Sequence, residues 1–534
     1  MEYDGKIEKL LSIWMQTLRN MNFPFKEDII LDEDGEEICE KEMFVLAPFH
    51  LGYVVYDNPY PMYELTPAGH KLLTSRRTDE VFLRQMLKFQ VPSPYHKPTD
   101  KAAEFCVKPY LEMLRLVRKL GTLKFDELQM FGMQLTDYHD FDNIVRKIEK
   151  FRVAKAKHTG SYRTFKTEYL NNELKKIYRD RILRGETKTR ESNDASLAKF
   201  LKTQSSNMRD YADACFRYLR ITGLVNVSHV GKSLSIVPER QADVDYILKN
   251  VEREPVFVDD LAAYTAYLGN AALPKLLTDN RPMLVQKISE EFPSVKITAK
   301  ATLDELKDQL ADLLEQRKEE SIIEQVAEIK DYRQYDEIQK TYEQIENNEL
   351  YDAPLMLEWN TWRAMTMLDG GEIKANLNFD DFGKPLSTAA GNMSDIVCDY
   401  GDYMVCVEVT MASGQKQYEM EGEPVTRHLG KLKVSSGKPC YCLFVAPIIN
   451  DACVTHFYMA HHLNLKNYGG KSTIIPLPLQ IFRKMVEDSY KANYTPNPSH
   501  VRNFFEASNE YAKTCESDMD WYEKIKEKAL HWLD

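Results

Sequence analysis

Apolar residues recur along the chain with two different periods, and the changes of period mark its segments. Ile7, Leu10, Leu11, Trp14 and Leu18 are spaced by threes and fours, which predicts an amphipathic helix. Next come Leu51-Gly52-Tyr53-Val54-Val55-Tyr56, a turn at Asp57-Asn58-Pro59, and Met62-Tyr63-Glu64-Leu65-Thr66. Two β-rich runs about a turn predict a hairpin. Thr66-Pro67-Ala68-Gly69 then opens a helix, with threonine as N-cap and proline in the first helical position.

Residues 1–95 are therefore expected to form a winged-helix-like module, and Tyr63 to Gly69 is similar to the second wing strand of such proteins. Further on, Tyr110, Leu111, Leu114, Leu116 and Val117 predict a helix ending at Gly121. Short helices are expected at Phe125–Phe131 and Asp142–Phe151. Between 190 and 240, Ser196–Leu201 reads as a short helix and Lys202–Ser206 as a turn. Asn207 caps a longer helix to Ile221, which Gly223 stops. Leu224–Val227 and Leu234–Val237 flank Gly231-Lys232 as a hairpin. This is the winged-helix order, and it sets Gln204, Ser205, Asn207, Arg209 and Asp210 at the start of a groove-entering helix. Such modules also serve as packing elements alone. Residues 96–240 are taken as a second recognition region.

Residues 241–350 read as a helical linker domain. In it, Thr302 and Glu305 form a capping box, and Leu303, Leu306, Leu310, Leu313, Leu314, Ile322, Ile323, Val326 and Ile329 trace one apolar stripe. One long connector helix over 302–347 is the simplest reading. From 351 the pattern becomes strand-like at Ile396–Cys398, Met404–Val409 and Cys440–Val445, with helices between, which predicts an α/β domain on a small mixed sheet. Helices around Phe482, Phe504 and Trp521 form its tail. The fold class expected is multidomain α+β, with N-terminal winged-helix modules, a helical connector and a C-terminal α/β domain over 351–534.

Charge changes this picture in one place. The net charge is −12, yet Arg146–Arg190 holds fifteen Lys/Arg against five Asp/Glu. A block of +10 inside an acidic chain suits a DNA-contact surface, with Lys175, Lys176, Arg181 and Arg184 at its centre. A solvated helix face is the plainer alternative. Of the nine cysteines, Cys398, Cys406, Cys440, Cys442 and Cys453 lie in apolar runs, as reduced core thiols do in a cytosol. The N-terminus lacks a signal-peptide pattern and no apolar run would span a membrane, so a cytoplasmic location is expected.

The candidate chemistry lies near residue 400. Phosphodiester hydrolysis needs an activated water and charge neutralisation, which Mg²⁺ supplies when carboxylates hold it with positions left open. Asp395 opens one strand and Glu408 lies near the end of the next, with a turn at Gly401 between them. A hairpin would set the two acids side by side. Glu408 has apolar neighbours, so its charge calls for a partner or metal.

Here the sequence resembles the PD-(D/E)XK nucleases, and more closely the AlwI/BstNBI-type endonucleases, type IIS restriction and nicking enzymes. The resemblance is carried by Ala390-Gly391-Asn392-Met393-Ser394-Asp395-Ile396, Val407-Glu408-Val409-Thr410, and the run Gly414 to Leu429, with Leu357-Glu358-Trp359 upstream. It implies a PD-(D/E)XK nuclease domain in which Asp395, Glu408 and Glu358 are metal ligands, with Glu421 and His428 at the edge of the catalytic site. Seven residues apart, the last two share one helix face. Most of the superfamily has lysine where this chain has Thr410. The polarising role then falls to Lys416, Gln417, His428 or the metal alone.

The resemblance implies Mg²⁺-dependent hydrolysis of double-stranded DNA a few base pairs from a short asymmetric site. One catalytic centre cuts one strand, so double-strand cutting requires a second copy or a small nuclease subunit. The alternatives are a winged-helix DNA-binding protein with an inert nuclease-like domain, or a structure-specific repair nuclease.

Overall fold

The computed structural model describes residues 50–57, 62–95, 104–189, 192–368, 371–391, 393–492 and 496–533. The helix expected at Ile7–Leu18 lies outside them. The chain packs as two compact units that divide between Leu313 and Leu314.

In the first unit, β1 (Val54–Asp57) and β2 (Met62–Leu65) pair as the expected antiparallel hairpin. The following helix α1 (Pro67–Thr74) is capped by Thr66, whose hydroxyl accepts from Gly69 N at 3.1 Å. Next come α2 (Thr78–Lys88) and α3 (Pro109–Leu120), the latter ended by Gly121 at φ 75°, a conformation that favours glycine. Strand β3 (Thr122–Lys124) leads into α4 (Phe125–Met130). The basic block folds as α5 (Phe141–Lys157), α6 (Tyr162–Ile177) and the short α7 (Arg179–Leu183).

The segment after the basic block departs from expectation. Helix α8 runs unbroken from Leu197 to Ile221; no turn occurs at Lys202–Ser206, and Ser196 caps it in place of Asn207. Phe200, Leu201, Thr203, Ala212, Cys215, Phe216 and Leu219 are buried along it. Burial of that stripe outweighs the weak turn preference of the polar residues. Strands β4 (Val225–Ser228) and β5 (Ser233–Ile236) form the expected hairpin, and β3 joins β5 antiparallel to complete a three-stranded sheet. Helices α9 (Gln241–Asn250), α10 (Leu261–Gly269) and α11 (Arg281–Glu291) complete the unit.

The connector begins with the predicted capping box: Thr302 N donates to Glu305 Oε2 at 2.7 Å, and Glu305 N to Thr302 Oγ1 at 3.3 Å. It is two helices, α12 (Leu303–Lys330) and α13 (Tyr335–Glu346), not one long helix. Tyr332, in the left-handed region at φ 59°, marks the break. Leu306, Leu310 and Ile329 are buried, whereas Ile323 faces solvent.

The second unit is built on a five-stranded mixed sheet. Helix α14 (Ala353–Leu368) is followed by β6 (Glu372–Ala375), then by a small ribbon of β7 (Asn378–Phe379) and β8 (Pro385–Ser387). Strands β9 (Ile396–Asp399) and β10 (Met404–Val409) lead to α15 (Gln415–Ser436), β11 (Cys440–Ala446), α16 (Asp451–His462) and β12 (Ile474–Pro478). The order is β12-β11-β10-β9-β6, with β10, β11 and β12 parallel and β9 antiparallel to both of its neighbours. All seven residues of β11 are buried, as in a strand covered on both faces. Cys398, Cys406, Cys440, Cys442 and Cys453 are buried free thiols. Helices α17 (Leu479–Lys491), α18 (Pro498–Thr514) and α19 (Asp518–Leu530) pack Phe482, Phe504 and Trp521 into the same core. No described helix is long and apolar enough to cross a membrane.

Candidate active site

The β9–β10 hairpin brings the two expected acids together. Ile396 pairs with Val407, so Asp395, one residue earlier, lies opposite Glu408, one residue later. Asp395 accepts from Val409 N through Oδ2 at 2.8 Å, which ties its side chain to the partner strand. Glu358 lies on α14, not at its start, and takes a hydrogen bond from Ala389 N at 2.8 Å on Oε1. Glu421 and His428 both lie on α15. His428 Nδ1 is 2.9 Å from Glu408 Oε1.

These acids feel one another. Glu358 and Glu408 are 3% and 5% exposed, and Asp395 retains some contact with solvent. Burial, followed by the nearby charge of Asp395, pushes the Glu358 carboxyl well above its usual range. Burial and Glu408 do the same to Asp395, and burial and Glu421 to Glu408. Glu421 is raised by burial, although a hydrogen bond from Thr410 and the proximity of His428 oppose the shift. The threonine standing where a lysine was expected therefore uses its hydroxyl on Glu421. Burial, with Arg427 and Lys431 close by, lowers His428 to about 4. Its imidazole is thus neutral at pH 7, and its contact with Glu408 is a hydrogen bond, not an ion pair.

Of the other candidates for the lysine's role, Gln417 is committed elsewhere. Fully buried, it donates from Nε2 to Ala412 O and Ile448 O at 2.9 Å each and accepts from Asn450 N at 2.7 Å. It staples the loop after β10 to the loop after β11. Lys416 is exposed in the first turn of α15. Trp362 is core, at 1% exposure. Two further contributors were not among the residues expected at the site. Asn376 donates from N to Asp395 O at 2.9 Å and from Nδ2 to Ser394 O at 2.7 Å. Buried Ser394 gives Glu408 a side-chain hydrogen bond.

The donor chemistry of Glu358, Asp395 and Glu408 fits a hard divalent cation: carboxylate oxygens from three separate elements, buried, with a neutral histidine beside them. Among the described residues no three His, Cys, Asp or Glu side chains stand in a metal-holding arrangement, so the carboxylates would have to close on an ion.

The candidate DNA-contact residues belong to the first unit. Lys175 and Lys176 are exposed in the last turn of α6, where Lys176 pairs with Glu173 at 2.6 Å. The Arg181 guanidinium lies over the Phe200 ring at 5.2 Å, and Arg184 pairs with Glu186 at 2.9 Å. Gln204, Ser205, Asn207 and Arg209 all fall within α8, not at its start. Gln204 accepts from the Tyr178 hydroxyl at 2.9 Å, Ser205 O from Gln129 at 3.0 Å, and exposed Arg209 lies 3.6 Å from Asp210.

The family model of the AlwI restriction endonuclease matches residues 49–485, more than half of the chain. The protein belongs to that family, a class of site-specific DNA endonucleases. None of the curated proteins compared matches the sequence. Among solved structures, the small subunit (R.BspD6I2) of the heterodimeric restriction endonuclease R.BspD6I is 24% identical over 39% of this chain and 95% of its own, with a TM-score of 0.27. The restriction endonuclease FokI is 10% identical over 95% of this chain and 97% of its own, with a TM-score of 0.24.

Proposed function

We propose that this restriction endonuclease is of type IIS or nicking type, reading a short asymmetric site and hydrolysing phosphodiester bonds a few base pairs away with Mg²⁺. The observation that supports it best is the meeting of Asp395, Glu408 and Glu358 from β9, β10 and α14, with Glu421 and His428 behind them. Bound there, Mg²⁺ would polarise the phosphoryl oxygen and lower the pKa of an attacking water. The chain's own residues do the rest. Val409 N and Ala389 N orient Asp395 and Glu358. His428 Nδ1, hydrogen-bonded to Glu408 Oε1, fixes that side chain against α15.

In the first unit, the order α3, β3, α4, α8, β4, β5, with β3 paired to β5, supports a winged helix interrupted by an insert that contains the basic block. Residues 1–95 and 96–240 would read DNA, 241–350 link, and 351–534 cut. As one catalytic centre breaks one strand, double-strand cleavage would require a second copy or a small nuclease subunit.

The decisive experiment is incubation with plasmid DNA and Mg²⁺, with both strands mapped by run-off sequencing. Breaks at a fixed distance to one side of one asymmetric sequence are expected. No breaks, or breaks that follow DNA structure instead of sequence, would dispose of the proposal.

Two predictions arise from the first unit. Neutralising Lys175 with Lys176, or Arg181 with Arg184, should weaken binding to all sequences. It should also flatten log Kd against log salt by roughly 0.9 for each phosphate that no longer meets a cation. An unchanged slope would return the block to a solvated face. Arg209→Ala should relax specificity at one base pair by about 1–3 kcal/mol and leave the cutting distance unaltered, because an arginine pairs with guanine through two hydrogen bonds. A cleavage profile identical to wild type would move base reading to another segment.

A further inference from the structure

Between Glu358 and Asp395 lies the β7–β8 ribbon, to which the nuclease reading assigns no role. Its root is built into the site. Asn376, just before β7, holds Ser394 O and Asp395 O, while Ala389, just after β8, holds Glu358. On β7 itself, the Phe379 ring meets Trp362 edge-on at 5.4 Å, one turn of α14 beyond Glu358. The tip folds on its own side chain: Asp380 Oδ1 accepts from Phe382 N and Lys384 N at 2.9 Å each.

Helix α12 grips that tip from outside. Arg317 donates from Nε to Asp381 O at 3.2 Å, forms an ion pair with the Asp381 carboxylate, and lies over the Phe382 ring at 4.3 Å. Both partners of the pair are about four-fifths buried, with side chains 20% and 19% exposed. Two turns further along, Gln325 Nε2 donates to Gly383 O at 2.8 Å. Gly383 has φ +70°, and a Cβ there would meet Gln325 Nε2 at 2.6 Å, so the tip sits directly on the helix.

We infer that Arg317 and Gln325 are positioning residues for phosphodiester hydrolysis, because the tip they hold belongs to the ribbon whose root orients Glu358 and Asp395. They act through the tip residues Asp381, Phe382 and Gly383. The inference rests on the nuclease reading above. Misplacing a catalytic group by about 1 Å can cost on the order of 10²-fold in rate. The ion pair, stacked and mostly desolvated, is specific to an arginine fork.

The test uses the full chain in four forms: wild type, Arg317→Ala, Gln325→Ala and Arg317→Lys. Single-turnover cleavage is followed across a Mg²⁺ titration, Mg²⁺ binding is measured by calorimetry, and DNA affinity is measured in EDTA. Arg317→Ala should lower the maximal rate by roughly 10- to 100-fold. It should also raise the half-saturating Mg²⁺ concentration severalfold in both assays, with DNA affinity unchanged. Gln325→Ala should do the same more weakly, and Arg317→Lys should recover part of the loss. A variant that melts earlier but keeps the wild-type Mg²⁺ midpoint and rate would overturn the inference and leave the nuclease reading standing. A wild-type protein that neither binds Mg²⁺ nor cuts would remove both.

Discussion

Replacing Asp395 or Glu408 by alanine is expected to abolish cleavage while site binding survives. The two acids lie opposite one another where β9 begins and β10 ends, so the pairing of the strands sets their separation. Strand ends are stiff platforms, and losing one carboxylate from such a pair cannot be made good by a neighbour's movement. The loss of a metal ligand should remove at least ~4 kcal/mol of transition-state stabilisation, about a thousandfold in rate. Binding should persist because the proposed DNA contacts lie in the other unit. Single-turnover cleavage and gel-shift titration together check the prediction. More than about a tenth of wild-type activity in either variant would show that these acids do not hold the metal.

Asp279→Ala should produce the largest loss of stability in the first unit. Asp279 and Glu80 share two cations: Arg84 lies 2.9 Å from Asp279 and 2.6 Å from Glu80, and Lys307 lies 2.7 Å and 2.8 Å from the same pair. Arg84 also donates to Ala272 O, and Asp279 accepts from Leu276 N at 2.7 Å, so the cluster ties α2, the loop before α11 and the first turns of α12 together. All four side chains are under 20% exposed. Removing one acid leaves buried positive charge uncompensated, which costs about 3–5 kcal/mol. Burial pushes both carboxyls up, but Lys307 and Arg84 more than offset it and hold both below their ordinary values. Their contribution is therefore complete above the unfolded carboxyl range and is lost as pH falls through the lowered folded values. Urea unfolding should show an early transition in Asp279→Ala and a shallower acid limb. A shift under about 1 kcal/mol would mean that the cluster is weakly coupled.

What could be read from the sequence was local. The α3 stripe, both hairpin turns and the Asp395–Glu408 pairing are each written within some twenty residues, where one period or one turn suffices. What escaped depends on distant partners. Strand β3 is three residues long and exists because β5, more than a hundred residues later, pairs with it. The continuity of α8 depends on what covers its apolar face, so Lys202–Ser206 misled. In β12, Pro476 and Pro478 argue against a strand, and the structure tolerates them because β12 is an edge strand of its sheet. Around the carboxylates, the backbone of Ala389 and the side chain of Asn376 have no signature at all, because a ribbon returns them to the site.

The pairing of β3 with β5 has a further consequence for how such a protein can change over generations. The sheet closes behind the segment 131–196, and the helices of that insert pack back on the flanking elements, Arg152 on Glu127, Tyr162 on Asp126 and Phe151 on Phe131. Exposed basic residues of the insert such as Lys175 can be exchanged at a cost to the fold of about 0.5 kcal/mol or less, whereas the buried residues that anchor its helices, Phe151 and Leu174 among them, cannot. If general attraction to DNA is carried by the insert and base discrimination by α8, as proposed, the first can drift at those exposed positions without disturbing the second. New recognition sequences could then arise in one helix while exchanges on the exposed face of a neighbouring segment restored the affinity that the change had removed.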